Sequence, residues 1–143
     1  MITFFVPGTP KPAGSKRGFL HRATGRVLVV DACAKSKDWK HDVGMIASQH
    51  RPNELLAGPL RVIFAFRMLR PKGHYGSGKN AGVVKASAAK YPTTKPDALK
   101  LARGVEDAMT GIIYRDDSQI VIELIYKTYV NIEPGVRVTI DAL

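Results

Sequence analysis

Between Gly58-Pro59 and Arg70, the residues Leu60, Val62, Phe64 and Phe66 alternate with Arg61, Ile63, Ala65 and Arg67. A period of two, with one side wholly apolar and the other mixed, predicts a strand over Leu60–Arg67 that buries one face firmly. A sheet buried on one side needs a second layer to cover it, and two segments of the chain can supply one. Over Asp31–His50, Trp39, Val43, Ile46 and Ala47 recur at spacings of three and four, while Lys35, Lys37 and Lys40 fall largely off the stripe. That pattern predicts a helix with Trp39 in the core, ended by Arg51-Pro52-Asn53. Over Asp97–Met109, Leu101, Val105, Ala108 and Met109 form a second stripe. Asp97 is placed after Pro96 to cap this helix, and Gly111 to end it.

The remaining β-prone runs are Ile2–Val6, Phe19–Arg22, Arg26–Val30, Gln119–Tyr129 and Val136–Ile140. Ala23-Thr24-Gly25 makes a hairpin of the second and third. The order β, ββ, α, β, α, β, β points to one α+β domain over residues 1–143, with two main helices on a mostly antiparallel mixed sheet. An apolar content of 45% suffices for a single core. Two stretches resist regular structure. The Pro- and Gly-rich run from Pro7 leads into the hairpin as a basic projection over residues 7–30, and residues 70–94 read as a long basic loop, expected to be mobile without a ligand.

Charge narrows the partner. The chain carries a net charge of +10, with five Lys or Arg and no acid from Met1 to Val30, and eight cations and no acid from Leu55 to Pro96. Such a distribution is a polyanion footprint, and nucleic acid is the polyanion it favours. No stretch approaches the roughly 20 apolar residues of a membrane span, so no membrane partner is expected. Cys33 is the single cysteine, which leaves no disulfide framework or thiolate cluster and points to a reducing compartment. Met1 leads straight into a β-prone run without the features of a secretory leader.

Into this cationic field the chain sets Asp97, Asp107, Asp116 and Asp117. Two or three carboxylates with a substrate phosphate make a site for Mg²⁺, which prefers hard oxygen ligands and keeps several waters. The plainer alternative is that Asp97 only caps a helix and Asp116-Asp117 only form a polar turn. Spacing leaves both open, because Asp97 and Asp117 bracket a helix and a simple arrangement separates them by roughly 15 to 20 Å.

Lys95-Pro96-Asp97-Ala98-Leu99-Lys100-Leu101-Ala102-Arg103, then Asp107-Ala108-Met109, then Asp116-Asp117-Ser118-Gln119-Ile120 resemble the central motif of the RusA family of Holliday junction resolvases. The family pattern is similar to Lys-Pro-Asp-x-Asp-Asn-Leu-x-Lys, Asp-Ala-Leu and Asp-Asp-x-Gln-Val. Pro10-Lys11-Pro12, Lys16-Arg17 and the Gly25-Arg26 hairpin resemble the basic loop of the same family. The resemblance implies an endodeoxyribonuclease of phage or prophage origin that cuts four-way junctions and other branched DNA as a homodimer in the bacterial cytoplasm, with Mg²⁺ or substituting Mn²⁺. It implies Asp97 and Asp117 as catalytic metal ligands with Asp116 as a further ligand, and Arg103 at the position of a catalytic Lys. The cationic runs themselves place Lys11, Lys16, Arg17, Arg22, Lys72, Lys79, Lys85, Lys95 and Lys100 as the expected DNA contacts. Leu99 departs from the pattern, since the family has a second catalytic Asp there, and cleavage by this chain is expected to be impaired. A junction-binding protein that does not cut and a basic RNA-binding module are the alternatives.

Overall fold

The computed structural model describes residues 1–14, 16–31 and 35–143, so Cys33 lies outside the described residues. In chain order the elements are β1 (Ile2–Pro7), β2 (Lys16–His21), β3 (Arg26–Asp31), α1 (Ser36–Gln49), β4 (Leu60–Leu69), α2 (Ala98–Met109), β5 (Ile120–Val130) and β6 (Gly135–Ala142). Short 3₁₀ turns stand at Lys72–His74, Gly78–Asn80 and Asp117–Gln119. The main sheet has the order β1-β6-β4-β5. Its β1–β6 and β6–β4 pairs are antiparallel, whereas β4 and β5 run parallel with Phe64 beside Ile125. A parallel pair cannot be joined by a tight turn, and residues 70–94 with α2 supply the crossover. The β2–β3 hairpin forms a separate two-stranded sheet. The α+β class with a mixed sheet and two helices is thus what the chain adopts.

The alternation in β4 sets the core. Leu60, Val62, Phe64 and Phe66 are fully buried against Val43 and Ala47 of α1, Leu101, Val105 and Met109 of α2, and Val136, Val138 and Ile140 of β6. Trp39 joins them. The opposite face of the sheet is polar toward β1 and β6: Arg61 pairs with Asp141 at 2.7 Å, and the Arg67 and Arg137 guanidinium groups flank the Phe5 ring at 5.2 and 5.9 Å. Toward β5 it is apolar. Val121, Ile122, Leu124 and Tyr126 are all exposed on this edge strand, whose outer side pairs with nothing among the described residues.

Two expectations need correction. The first helix starts at Ser36, not Asp31, because the valine-rich run Val27–Val30 carries β3 through Asp31, which pairs with Lys16, and the apolar helical stripe begins only at Trp39. Asp97 does hold the N-cap position of α2 with extended backbone angles, yet its side chain makes no capping hydrogen bond. Its carboxylate turns instead toward the Lys100 ammonium, 3.8 Å away. At the other end, Gly111 takes φ +77°, a left-handed conformation natural to glycine, and its N–H donates to the Tyr114 carbonyl as the helix stops.

Candidate active site

The basic N-terminal loop reaches the motif directly. The Ala13 amide donates to the Lys100 carbonyl at 2.8 Å, and a β-carbon at Gly104 would lie 3.4 Å from the Ala13 nitrogen, so α2 and the loop meet backbone to backbone. Pro12, Lys95, Pro96, Asp97 and Lys100 consequently line one shallow cleft of 140 Å³. Lys127, from the middle of β5, closes the same end of α2 by donating to the carbonyls of Pro96 (2.9 Å) and Thr94 (3.0 Å). Sequence reasoning missed Lys127, although a lone cation inside the apolar run Ile120–Val130 was a signal.

A second group of acids gathers near the other end of α2. Glu106 has its carboxyl pushed up from 4.5 to about 8, first by burial, then by a hydrogen bond and charge repulsion with Glu123, then by the charges of Asp117 and Asp107. The Tyr114 hydroxyl, fully buried, donates to the Glu106 main-chain carbonyl at 3.1 Å. Burial and the Glu106 charge push that phenol up as well. Asp107 is engaged by Lys40 at 2.8 Å, which gives it a structural role in tying α1 to α2. Asp116 accepts from the Ser118 amide at 2.9 Å, and its hydrogen bonds to Ser118 hold its carboxyl below the usual range. Asp117 is exposed at the start of the turn that follows.

Gln119 holds this turn in place. Its side-chain carbonyl accepts from the amides of Arg115 (2.9 Å) and Asp116 (3.0 Å), and its amide nitrogen donates to the carbonyls of Leu56 (3.0 Å) and Gly58 (3.1 Å). All the bonding positions of the amide are thereby filled.

The carboxylates therefore form two groups. Nine residues of helix rise, about 13 Å, separate Asp97 from Glu106, and the charge of Asp117 acts on Glu106. No three His, Cys, Asp or Glu among the described residues come together as a metal site. The donor chemistry itself fits a hard cation, since Asp97 and Asp117 are both exposed carboxylates and Mg²⁺ completes its shell with water and phosphate. Arg103 is exposed one turn beyond Leu99, itself 72% exposed. Of the expected DNA contacts, Lys11 borders a groove with Trp39, and Arg22 is exposed in the hairpin turn. Lys72, Lys79 and Lys85 sit on the 70–94 segment, and the side chains of Lys16 and Arg17 lie outside the described residues.

The Glu106 environment has a measurable consequence. A carboxyl whose proton is held more tightly in the folded chain than in the unfolded one contributes stability that is full below 4.5 and lost as pH rises toward 8. Glu106→Gln keeps the neutral form at every pH. Because the group is half exposed, solvent screening keeps the effect modest, and the expected result is a Tm raised by about 3 °C at about pH 9 and unchanged at about pH 4. Equal shifts at both pH values in a calorimetric melt overturn the assignment.

Residues 7–141 match the family model described as endodeoxyribonuclease RusA. The YqaN protein of Bacillus subtilis (strain 168), described as uncharacterized, is 38% identical over 139 residues, which is 97% of this chain and 94% of that protein.

Proposed function

Since the chain belongs to the RusA family of endodeoxyribonucleases, we propose that it binds four-way and other branched DNA as a homodimer and is built for Mg²⁺-dependent cleavage, with Asp97, Asp116 and Asp117 as metal ligands and Mn²⁺ able to substitute. The family match over residues 7–141 carries this reading. A bound Mg²⁺ would supply an oriented water of lowered pKa and charge neutralisation at the phosphate. The chain's own residues do the rest. Lys95 and Lys100 border the Asp97 cleft, and Arg103 offers a planar donor fork for a phosphate on the same helix. The cytoplasm of the bacterial host is the setting this activity requires.

A second copy answers the separation of the two acidic groups. The eleven residues of β5 centre on Ile125, and antiparallel pairing of two copies about that residue sets Glu123 of each opposite Lys127 of the other, and Leu124 opposite Tyr126. Lys127 marks the Asp97 end of α2 and Glu123 the Asp117 end, so the acidic group of one copy comes beside Asp97 of the other. The same pairing satisfies the open backbone edge of β5 and joins the exposed Ile122, Leu124 and Tyr126 of the two copies into one apolar strip. Leu99 favours a second reading, in which the chain holds junctions without cutting them.

Competition binding against junction, duplex and single-stranded RNA, run beside sedimentation equilibrium, tests the proposal. The expected result is a dimer that prefers the junction by about tenfold or more over duplex, and a Leu124→Lys variant that is monomeric and loses that preference. Equal affinity for all three nucleic acids, or a monomeric native chain, overturns it.

A further inference from the structure

Residues 70–94 fold back on themselves around Arg70. Its guanidinium lies over the Tyr129 ring at 4.7 Å, and its Nη1 donates to the Ala89 carbonyl at 3.1 Å and meets His74 Nδ1 at 3.3 Å. Its Nε is buried with no hydrogen-bond partner among the described residues. Beside it, Tyr75 donates through its hydroxyl to Asn131 Oδ1 at 3.0 Å, and the Asn131 amide nitrogen has no hydrogen-bond partner among the described residues. Hollows of 370 and 420 Å³ open on this bridge, and Arg70 and Asn131 border both. Arg67 joins the first and Lys72 the second, and no Asp or Glu lines either among the described residues.

The charged lining is thus cationic, with Arg67 loosely paired to Glu133 at 3.9 Å and Arg70 and Lys72 paired with no carboxylate among the described residues, whereas Val84 and Ile132 in the first hollow and Leu69 in the second make the walls apolar. A backbone phosphate alone has no use for apolar walls. A nucleotide matches both parts, with an anionic end for the cations and a flat base carrying acceptors for the wall and the amide. In a duplex the bases are stacked inside and present only their edges and phosphates, so the matching ligand is unpaired. The volumes fall within the roughly 300–1,000 Å³ of ligand pockets. Tyr129 lies two residues along β5 from Lys127, about 7 Å, so the hollows open at the Asp97 end of α2.

We propose that the hollows on either side of the Tyr75–Asn131 hydrogen bond form a binding site for an unpaired nucleotide of branched DNA. The proposal rests on the reading of the chain as a branched-DNA protein and assigns a site separate from the carboxylates. The test is fluorescence anisotropy with two four-way junctions, one fully paired and one carrying a single unpaired thymidine at the branch. The native chain is expected to bind the second about tenfold more tightly. Val84→Glu places a carboxylate beside these cations at an exposed position and is expected to abolish that preference at the native melting temperature, any loss of phosphate affinity next to Lys85 falling equally on the two junctions. Asn131→Ala is expected to reduce the preference about threefold. Equal affinity of the native chain for the two junctions, or a preference that survives Val84→Glu, overturns the nucleotide site and leaves the branched-DNA reading standing. Absence of affinity for either junction overturns that reading, and the site with it.

Discussion

Leu99→Asp is expected to raise Mg²⁺-dependent junction cleavage by at least about a hundredfold, because even ligands one step removed from a metal change activity about 10- to 100-fold and this residue would touch it. The side chain is free to change. Leu99 lies 72% exposed in the first turn of α2 and belongs to no part of the core, so replacing it costs the fold little. An acid near a helix N-terminus is moreover favoured by the backbone dipole. The Asp97 carboxylate is not engaged in capping, and a second carboxylate two residues on would give the cation two hard ligands on one turn. Arg103 follows four residues after position 99, close enough to orient the new carboxylate or share a phosphate with it. Single-turnover cleavage of a labelled four-way junction, with Mg²⁺ and with chelator, measures the gain. A rate unchanged from the native chain removes position 99 from the metal site and with it the register of the motif; a gain that persists in chelator shows that the cleavage is not the metal reaction.

The elements that were legible in the sequence are those whose periodicity is enforced by burial. Leu60, Val62, Phe64 and Phe66 alternate because one face of β4 is sealed by two helices, and Leu101, Val105 and Met109 recur because α2 lies on that face. Asp31 was misread because local β-branched preference carried β3 one residue further than helical spacing could register. The strand order was hidden for a different reason. β5 and β6 are consecutive in the chain, yet β4 stands between them, and nothing in either strand's composition encodes a parallel partner. At the candidate site, Asp97, Asp117, Lys95 and Lys100 stood out by type and motif. Glu106 and Glu123 did not, since their interaction arises only when β5 runs back along α2. Spacing alone left open whether Asp97 and Asp117 share a site, and in the folded chain the charge of Asp117 acts on Glu106, nine residues along the helix from Asp97.

Gln119→Ala is expected to lower stability by about 1–2 kcal/mol and to disorder the turn that presents Asp117. The reason lies in what one amide joins. Its oxygen accepts two main-chain amides on the near side, from Arg115 and Asp116, and its nitrogen reaches back some sixty residues to the carbonyls of Leu56 and Gly58. Removing it strands up to four backbone groups at about 1 kcal/mol each, less for those that water can reach. Three other local bonds among the described residues act on the turn: the Ser118 amide to the Asp116 side chain, the Gln119 amide to the Asp116 carbonyl, and the Ile120 amide to the Asp117 carbonyl. Gln119→Glu separates hydrogen bonding from mere bulk, because a carboxylate still accepts from Arg115 and Asp116 but faces the Leu56 and Gly58 carbonyls with no donor. It is therefore expected to lose at least as much stability as alanine, because an anionic oxygen then meets two carbonyl oxygens beside Asp116 and Asp117. Thermal melts of the native chain and both variants, with amide hydrogen exchange at residues 115–119, measure the effect. Native-like protection of those amides in Gln119→Ala would mean that the turn is held by something other than this side chain, and that Asp117 owes its position to the strand that follows it.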